Sequence, residues 1–398
     1  MGGVDRERVK IGAFSGKSDM GNLGRRSGRP EGCDFGQKDA GGQNVHVCMI
    51  VPNEMVQGGI ASVVNGYRGS ELEKRCRITY IESYQNGSKW DKLKKALKGY
   101  RDFRSLLRKD RPDLVHIHSS FGPSFYRKMP FILWSAFRKI PVVNHIHGAE
   151  FDAFYENASE AKKKRVRKVY GKCTRLVVLS KEWAARLQQI VPRERIDILE
   201  NYCRIPKAPF DTGRNNKQVL FLGELGERKG CFDIPAVWEQ VKTKCRDATL
   251  GMAGDGEKER VKEAFFRKGL ADTVSFPGWV RGEEKERFLR ESGIFLFPSY
   301  HEGMPMAVLE AMAYGLGIIT TTVGGIPQLI QDGESGVLTA PGDIKAMAEA
   351  LERFLTDEAY LAACGKAARE KAQAQYSLGR HLEKLGKIYE RAYIEGGS

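Results

Sequence analysis

The chain has 398 residues, 41% hydrophobic and 29% charged, too many for one ordinary core and enough for two domains of ordinary size. Its net charge of +15 is uneven: residues 1–200 hold 38 Lys+Arg against 22 Asp+Glu, and the remainder hold 27 against 28. Composition argues against several classes. No apolar run approaches the roughly 20 residues of a membrane-spanning helix, and MGGVDRERVKIG lacks the apolar segment of a secretory signal. The eight cysteines form no CxxC pair and no metal-like Cys/His spacing, which fits reduced thiols in a cytoplasm.

Residues 1–43 are rich in Gly, Asp, Arg and Ser without periodicity and read as a disordered tail. A first domain, 44–201, opens on the buried strand Val45–Val51. The turn Gly58-Gly59 follows, then a helix through about Glu73. Strand, glycine turn and helix together make a layout in which backbone can approach a phosphate, although a tight turn without ligand has the same signature. Strands at Ile78–Ile81, Asp113–His118, Pro141–Gly148, Arg175–Ser180 and Ile196–Leu199 then alternate with helices at Lys89–Lys109, Ser124–Arg138, Glu160–Lys172 and Lys181–Ile190. Such alternation predicts a parallel sheet with helices on both faces. Residues 202–217 are polar and proline-bearing and read as a linker. A second alternation fills 218–376, and a final helical segment, 377–398, ends the chain. The fold class is therefore α/β, with two doubly wound domains facing across a cleft.

The most informative stretch is 295–338, FLFPSYHEGMPMAVLEAMAYGLGIITTTVGGIPQLIQDGESGVL. A buried strand ends at Pro298-Ser299. A loop carries His301, Glu302 and Gly303, and a helix opens with Pro305 at or near its first position. The helix is apolar except for Glu310, and a carboxylate in a buried helix must be paired, hydrogen-bonded or functional. Glu302 precedes the same helix N-terminus, where unpaired N–H groups favour anions.

The spacing of Glu302 and Glu310 within PSYHEGMPMAVLEAMAYG resembles the signature of retaining glycosyltransferases of family 4. PNEMVQGGIASV, NHIHGAEF, LENYCRIP, VLFLGELGERKG, GMAGDGE, FPGWV and VGGIPQLIQDGESGVL match in order, so the resemblance covers about residues 45–393. It implies the GT-B fold, a nucleotide-diphospho sugar donor, and a last helix that crosses back to the first domain. It also implies roles. Glu310 would accept hydrogen bonds from the ribose hydroxyls, and Glu302 would lie beside the donor sugar. The amides of Gly303, Met304 and Met306 would hold sugar hydroxyls and the distal phosphate. Arg228 and Lys229, after the strand that ends at Gly223, would bind the pyrophosphate. Gly58 and Gly59 would approach the phosphates or the acceptor, His147 would face the sugar as a catalytic group, and the base would sit near Trp279 and Val280. A nucleotide leaving group gathers negative charge that a metal or protein cations must stabilise. The chain has no Asp-x-Asp motif for a divalent ion, so no metal and no other cofactor is expected. One position departs from the family: Glu224 stands where an arginine is common, and a carboxylate there would repel a pyrophosphate unless Arg228 compensates or Glu224 faces elsewhere.

The implied activity is sugar transfer, with UDP as the expected nucleotide, to a glycan or lipid-linked acceptor in surface polysaccharide synthesis. The expected location is cytoplasmic, at the inner face of the plasma membrane. A nucleotide-sugar epimerase and a catalytically silent sugar-nucleotide binder on the same fold remain alternatives. A nucleic-acid partner is not expected, because no aromatic–basic motif of that kind is present. His116, His118 and His145 read as core or cleft-wall residues, and His301 as in or only near the site. In the basic helix 89–109, Trp90, Leu93, Leu97, Tyr100, Phe103 and Leu107 form a stripe expected to pack on the sheet. Its basic exterior is compatible with an anionic membrane, as are Arg127-Lys128 and Arg138-Lys139 around MPFILWSAF.

Overall fold

The computed structural model describes residues 44–56, 58–148, 151–207 and 214–396, so the tail expected over 1–43 lies outside it. Among the described residues, twelve strands form two six-stranded parallel sheets. The first contains β1 (His46–Pro52), β2 (Arg77–Tyr84), β3 (Leu114–Ser119), β4 (Val142–Ile146), β5 (Arg175–Val178) and β6 (Ile196–Ile198), in the order β2-β1-β3-β4-β5-β6. The second contains β7 (Asn215–Leu222), β8 (Thr249–Ala253), β9 (Val274–Gly278), β10 (Ser292–Phe297), β11 (Gly317–Thr321) and β12 (Val337–Thr339), in the order β12-β11-β10-β7-β8-β9. The inner strands β1, β4, β10 and β11 are short buried runs because both faces of a parallel sheet are covered, whereas the edge strands β2 and β9 are only partly buried. In each sheet the order reverses beside its first strand, between β1 and β3 and between β7 and β10. Open α/β sheets bind ligands beyond the carboxyl ends of the strands at such a reversal.

The two halves interlock. Leu179, after β5, packs in the core of the second domain, while Met306, opening a helix of the second domain, packs against a core cluster of the first. The last helix, Leu378–Glu395, lies on the first sheet and buries Leu385, Ile388 and Tyr389 there. The Arg175 guanidinium, buried beside Asp197 at 2.7 Å, also reaches Glu395 at 2.9 Å.

Two local readings change. The helix expected from the glycine turn to Glu73 is broken: Gly59–Tyr67 and Glu71–Arg75 are separate. Gly69 sits at φ 68°, and the Ser70 hydroxyl accepts a hydrogen bond from the Leu72 N–H, so a left-handed turn and a fresh N-cap divide them. The stripe on Lys89–Lys109 also splits. Phe103 and Leu107 are buried and Tyr100 partly so, but Trp90 is 71% exposed, and Leu93 and Leu97 are exposed as well. Ala96 and Gly99 take the packing face instead. A Cβ on Gly99 would lie 2.8 Å from the Glu82 carbonyl oxygen, so small residues let the helix approach β2 closely and turn the bulky ones outward.

Candidate active site

Between the sheets lies a cleft of about 1020 Å³. Its second-domain wall is built on two loops that hold each other. After β7, the turn Glu227–Lys229 ends at Gly230, whose φ is 69°. A Cβ at Gly230 would lie 2.0 Å from the Pro298 carbonyl oxygen, so only glycine allows this approach. The Tyr300 N–H donates to the Arg228 carbonyl at 2.9 Å, and Ser299 Oγ lies 3.1 Å from the same oxygen. The loop after β10 is thereby pinned, and it carries Glu302 into the cleft.

Glu302 is buried, and its Oε1 accepts from Lys229 Nζ at 2.5 Å and from the Ser299 hydroxyl at 2.6 Å. Beneath it, the turn Gly324-Gly325 packs against its backbone. A Cβ on Gly324 would meet the Glu302 carbonyl oxygen at 1.9 Å, and the Gly325 N–H donates to Gly303 at 2.7 Å. That contact explains the glycine pair in VGGIP.

The helix beyond begins at Met306 and ends at Ala313, with Pro305 at its N-cap rather than its first helical position. Gly315, at φ 66°, closes it: its N–H and that of Leu316 bond back to Met312 and Ala311. Val308, Leu309 and Met312 are fully buried, each contributing about 1.5–3 kcal/mol. Glu310 is only partly buried. It lies on the cleft-facing side, where Lys285 Nζ donates to its Oε1 at 2.6 Å. The acid that looks anomalous in an apolar helix thus belongs to the one side that is not packed.

The first-domain wall is different. Gly58, at φ 139°, turns the chain into helix Gly59–Tyr67, whose N-terminus opens on the cleft. His147 follows β4 and shares a hydrogen bond with His118, Nε2 to Nδ1, at 2.9 Å. Burial pushes the His147 imidazole down to about 3, so the ring is neutral at ordinary pH. Gly303 abuts this wall: a Cβ there would lie 3.3 Å from the His147 carbonyl oxygen.

All the residues singled out from the sequence line this one cleft: Gly58, Gly59, His147, Gly223, Arg228, Lys229, Trp279, Val280, Glu302, Gly303, Met304, Met306 and Glu310. His301 lines it too, with an exposed side chain, whereas His116, His118 and His145 are buried. The charges are arranged otherwise than expected. Lys229 is held by Glu302, and Arg228 pairs with Glu224 at 3.2 Å. Glu224 therefore does face the cleft, and Arg228 neutralises it. Sequence reading missed Asn201, Ser299 and Lys285. Buried Asn201 Nδ2 donates to the Met304 carbonyl at 2.7 Å and ties the end of the first domain to the loop after β10. Asn201 stands in the quoted LENYCRIP, and Ser299 stands three residues before Glu302, a spacing that could have signalled it. Lys285 had no signal, because it comes from an unrelated helix, Gly282–Glu291.

The comparisons agree with this geometry. The family described as "Glycosyltransferase Family 4" matches residues 40–202, and "Glycosyl transferases group 1" matches 205–371. The chain belongs to the group 1 glycosyltransferases. Among its relatives is a putative colanic acid biosynthesis glycosyltransferase of Escherichia coli, 30% identical over 53% of this chain, and the chain spans only 55% of that protein's length. Another is the amylovoran biosynthesis glycosyltransferase AmsK of Erwinia amylovora, 28% identical over 70% of each chain. Sucrose-phosphate synthase of Thermosynechococcus elongatus has a similar fold, with a TM-score of 0.71 at 18% identity over 88% of this chain and 100% of that one. So does HepE of Anabaena, solved with UDP-glucose, with a TM-score of 0.66 at 17% identity over 87% and 99%. The fold of this group 1 chain is GT-B.

Proposed function

We propose that the chain is a retaining glycosyltransferase that moves a sugar from a UDP-linked donor to a glycan or lipid-linked acceptor in surface polysaccharide synthesis. The observation that carries the reading is the second-domain wall. A loop carboxylate and a helix carboxylate flank one helix N-terminus, and each is held by a lysine. Glu310 on the open side of its helix suits the paired hydroxyls of a ribose. The amides from Gly303 to Met306 suit the distal phosphate, Pro305 having none to give. Lys229 and Arg228 stand where the leaving diphosphate gathers charge. They exchange part of their pairing with Glu302 and Glu224 for it, which supplies the needed cations without a metal. Trp279, 38% exposed beside buried Val280, offers a face for the base. UDP is favoured because HepE, of the same fold, was solved with UDP-glucose, and the polysaccharide setting follows the two bacterial relatives.

The acceptor side is proposed to work at an anionic membrane surface, on the inner face of the plasma membrane. The support is the exposed Trp90, Leu93 and Leu97 among Lys89, Lys94 and Lys98, with Phe137 84% exposed on the neighbouring helix Pro123–Phe137. Lys128 does not contribute. It is buried, and its Nζ bonds Ser83 Oγ at 2.6 Å and the Ile50 carbonyl at 3.2 Å. No helix among the described residues is long and apolar enough to cross a membrane.

The test begins with a thermal-shift comparison of UDP, GDP and ADP sugars, followed by nucleotide release with and without a lipid-linked glycan in anionic vesicles. UDP sugars should raise the melting temperature most. Nucleotide should appear only with acceptor, at a rate that added magnesium or manganese leaves unchanged. NMR of the product should show the donor's anomeric configuration. Stabilisation by GDP or ADP sugars alone, an inverted product, or a strict metal requirement would each overturn that part of the reading.

A further inference from the structure

Beneath His147, the first sheet carries an array of imidazoles that sugar transfer does not use. His116 and His118 stand two residues apart on β3, and His145 on β4 is the register partner of His118. Side chains two residues apart on a strand share a face, so the three rings point to one side of the sheet. There they are closed over by Tyr67 and by the last helix, through Tyr389. All three are buried, and one nitrogen from each lies within 4.8 Å of the others.

Their hydrogen bonding is lopsided. His116 Nδ1 pairs with the Tyr389 hydroxyl at 2.6 Å, and His118 Nδ1 pairs with His147 at 2.9 Å. His116 Nε2, His118 Nε2 and both nitrogens of His145 have no hydrogen-bond partner among the described residues. Buried polar atoms ordinarily find partners, because leaving them without one is costly. Here all three unsatisfied residues belong to the cluster whose ring nitrogens lie within 4.8 Å of one another. For His116 and His118 the pattern is also that of a metal-ligating histidine, in which one nitrogen is fixed by a neighbour and the other is left with its lone pair.

We propose that His116, His118 and His145 form a buried site for a divalent transition metal of the zinc, cobalt or nickel type, for which imidazole is a matching ligand, with the fourth coordination position taken by a water. Metal–nitrogen bonds of about 2.0–2.1 Å draw the three nitrogens inward by less than about 1 Å. The site joins β3 to β4 and, through Tyr389, to the last helix, so the metal stabilises the seat of that helix. It is separate from the diphosphate side of the cleft and independent of the donor reading, and no transfer step runs through it.

The test uses the untagged full chain, loaded with zinc or cobalt, desalted and assayed for metal. The wild type should retain about one ion per chain, with a visible cobalt absorption band and a melting temperature raised by several degrees. His145→Leu and, separately, His116→Gln should keep the fold by circular dichroism and lose both ion and band. Since either variant could unfold, the wild type alone also decides: no retained metal and no cobalt band overturn the site. Equal retention by a folded His145→Leu protein overturns it as well.

Discussion

The two walls of the cleft are built on opposite principles. The second-domain wall is charged. Arg228, Lys229, Arg281 and Lys285 all line it, and three of the four meet a carboxylate there. The first-domain wall is nearly uncharged. Among its described lining residues up to position 200, the one ionisable group besides neutral His147 is Asp152, and there is no lysine or arginine. Yet the first 200 residues hold the excess of positive charge, and the rest of the chain is close to neutral. Net charge by segment therefore does not point to the charged wall of the cleft. The basic residues of the first domain lie on outer helices such as Lys89–Lys109 and Glu160–Tyr170, while the cations that line the cleft come from the balanced half. A phosphate site needs a few cations held on fixed loops, whereas a surface that attracts a membrane needs many that are free.

The comparison can be broken most severely at Glu302. Glu302→Gln keeps the shape and removes the charge that holds Lys229. Transfer is expected to fall about 100-fold or more while donor binding by calorimetry persists; loss of binding with an unchanged turnover rate would instead make Glu302 a simple binding residue. Next is Gly230→Ala, which forces a left-handed backbone and a clash with Pro298. It should lose about 3 kcal/mol in urea unfolding and misplace Lys229. Unchanged stability would show that the two loops do not pin each other.

The outer face comes third. Replacing Lys89, Lys94 and Lys98 by glutamine should weaken binding to anionic vesicles by about 1 kcal/mol per lysine, with a shallower salt dependence. Transfer to a soluble acceptor should stay as it was; if vesicle binding is unaffected, the surplus charge has some other use. On the proposed ribose contact, Glu310→Gln is expected to raise the donor KM about tenfold with little change in kcat, since such a contact would be the same in ground and transition states. Smallest is Glu224→Gln. It frees Arg228 from its exposed partner, and the donor KM should drop by about two- to threefold. A rise in KM would mean that Glu224 positions Arg228 rather than opposing the phosphate.

Much of the fold could be read directly, because strand and helix patterning with short turns leaves few topologies. The errors came where small residues decide packing. Ala96 and Gly99 do not register as an apolar face beside Trp90 and Leu97, yet they are the face that packs. Gly69 and Ser70 look like ordinary helix residues until the left-handed turn is seen. In the site, Glu302 and Glu310 were legible because a carboxylate among apolar residues is expensive unless used. Lys285 and Asn201 were not, since they arrive from distant segments and carry no local pattern.

Sequence alone determined the two-domain α/β architecture, the family, and the pair of acids around one helix N-terminus. All of these rest on local periodicity and on motifs contiguous in the chain. Tertiary structure decided which charges meet. It set Lys229 on Glu302, Lys285 on Glu310 and Arg228 on Glu224, turned the bulky side of the basic helix outward, and gathered three histidines under the last helix. The reason is physical: ion pairs and converging lone pairs depend on distances across the fold, and those are fixed only when separate segments pack together.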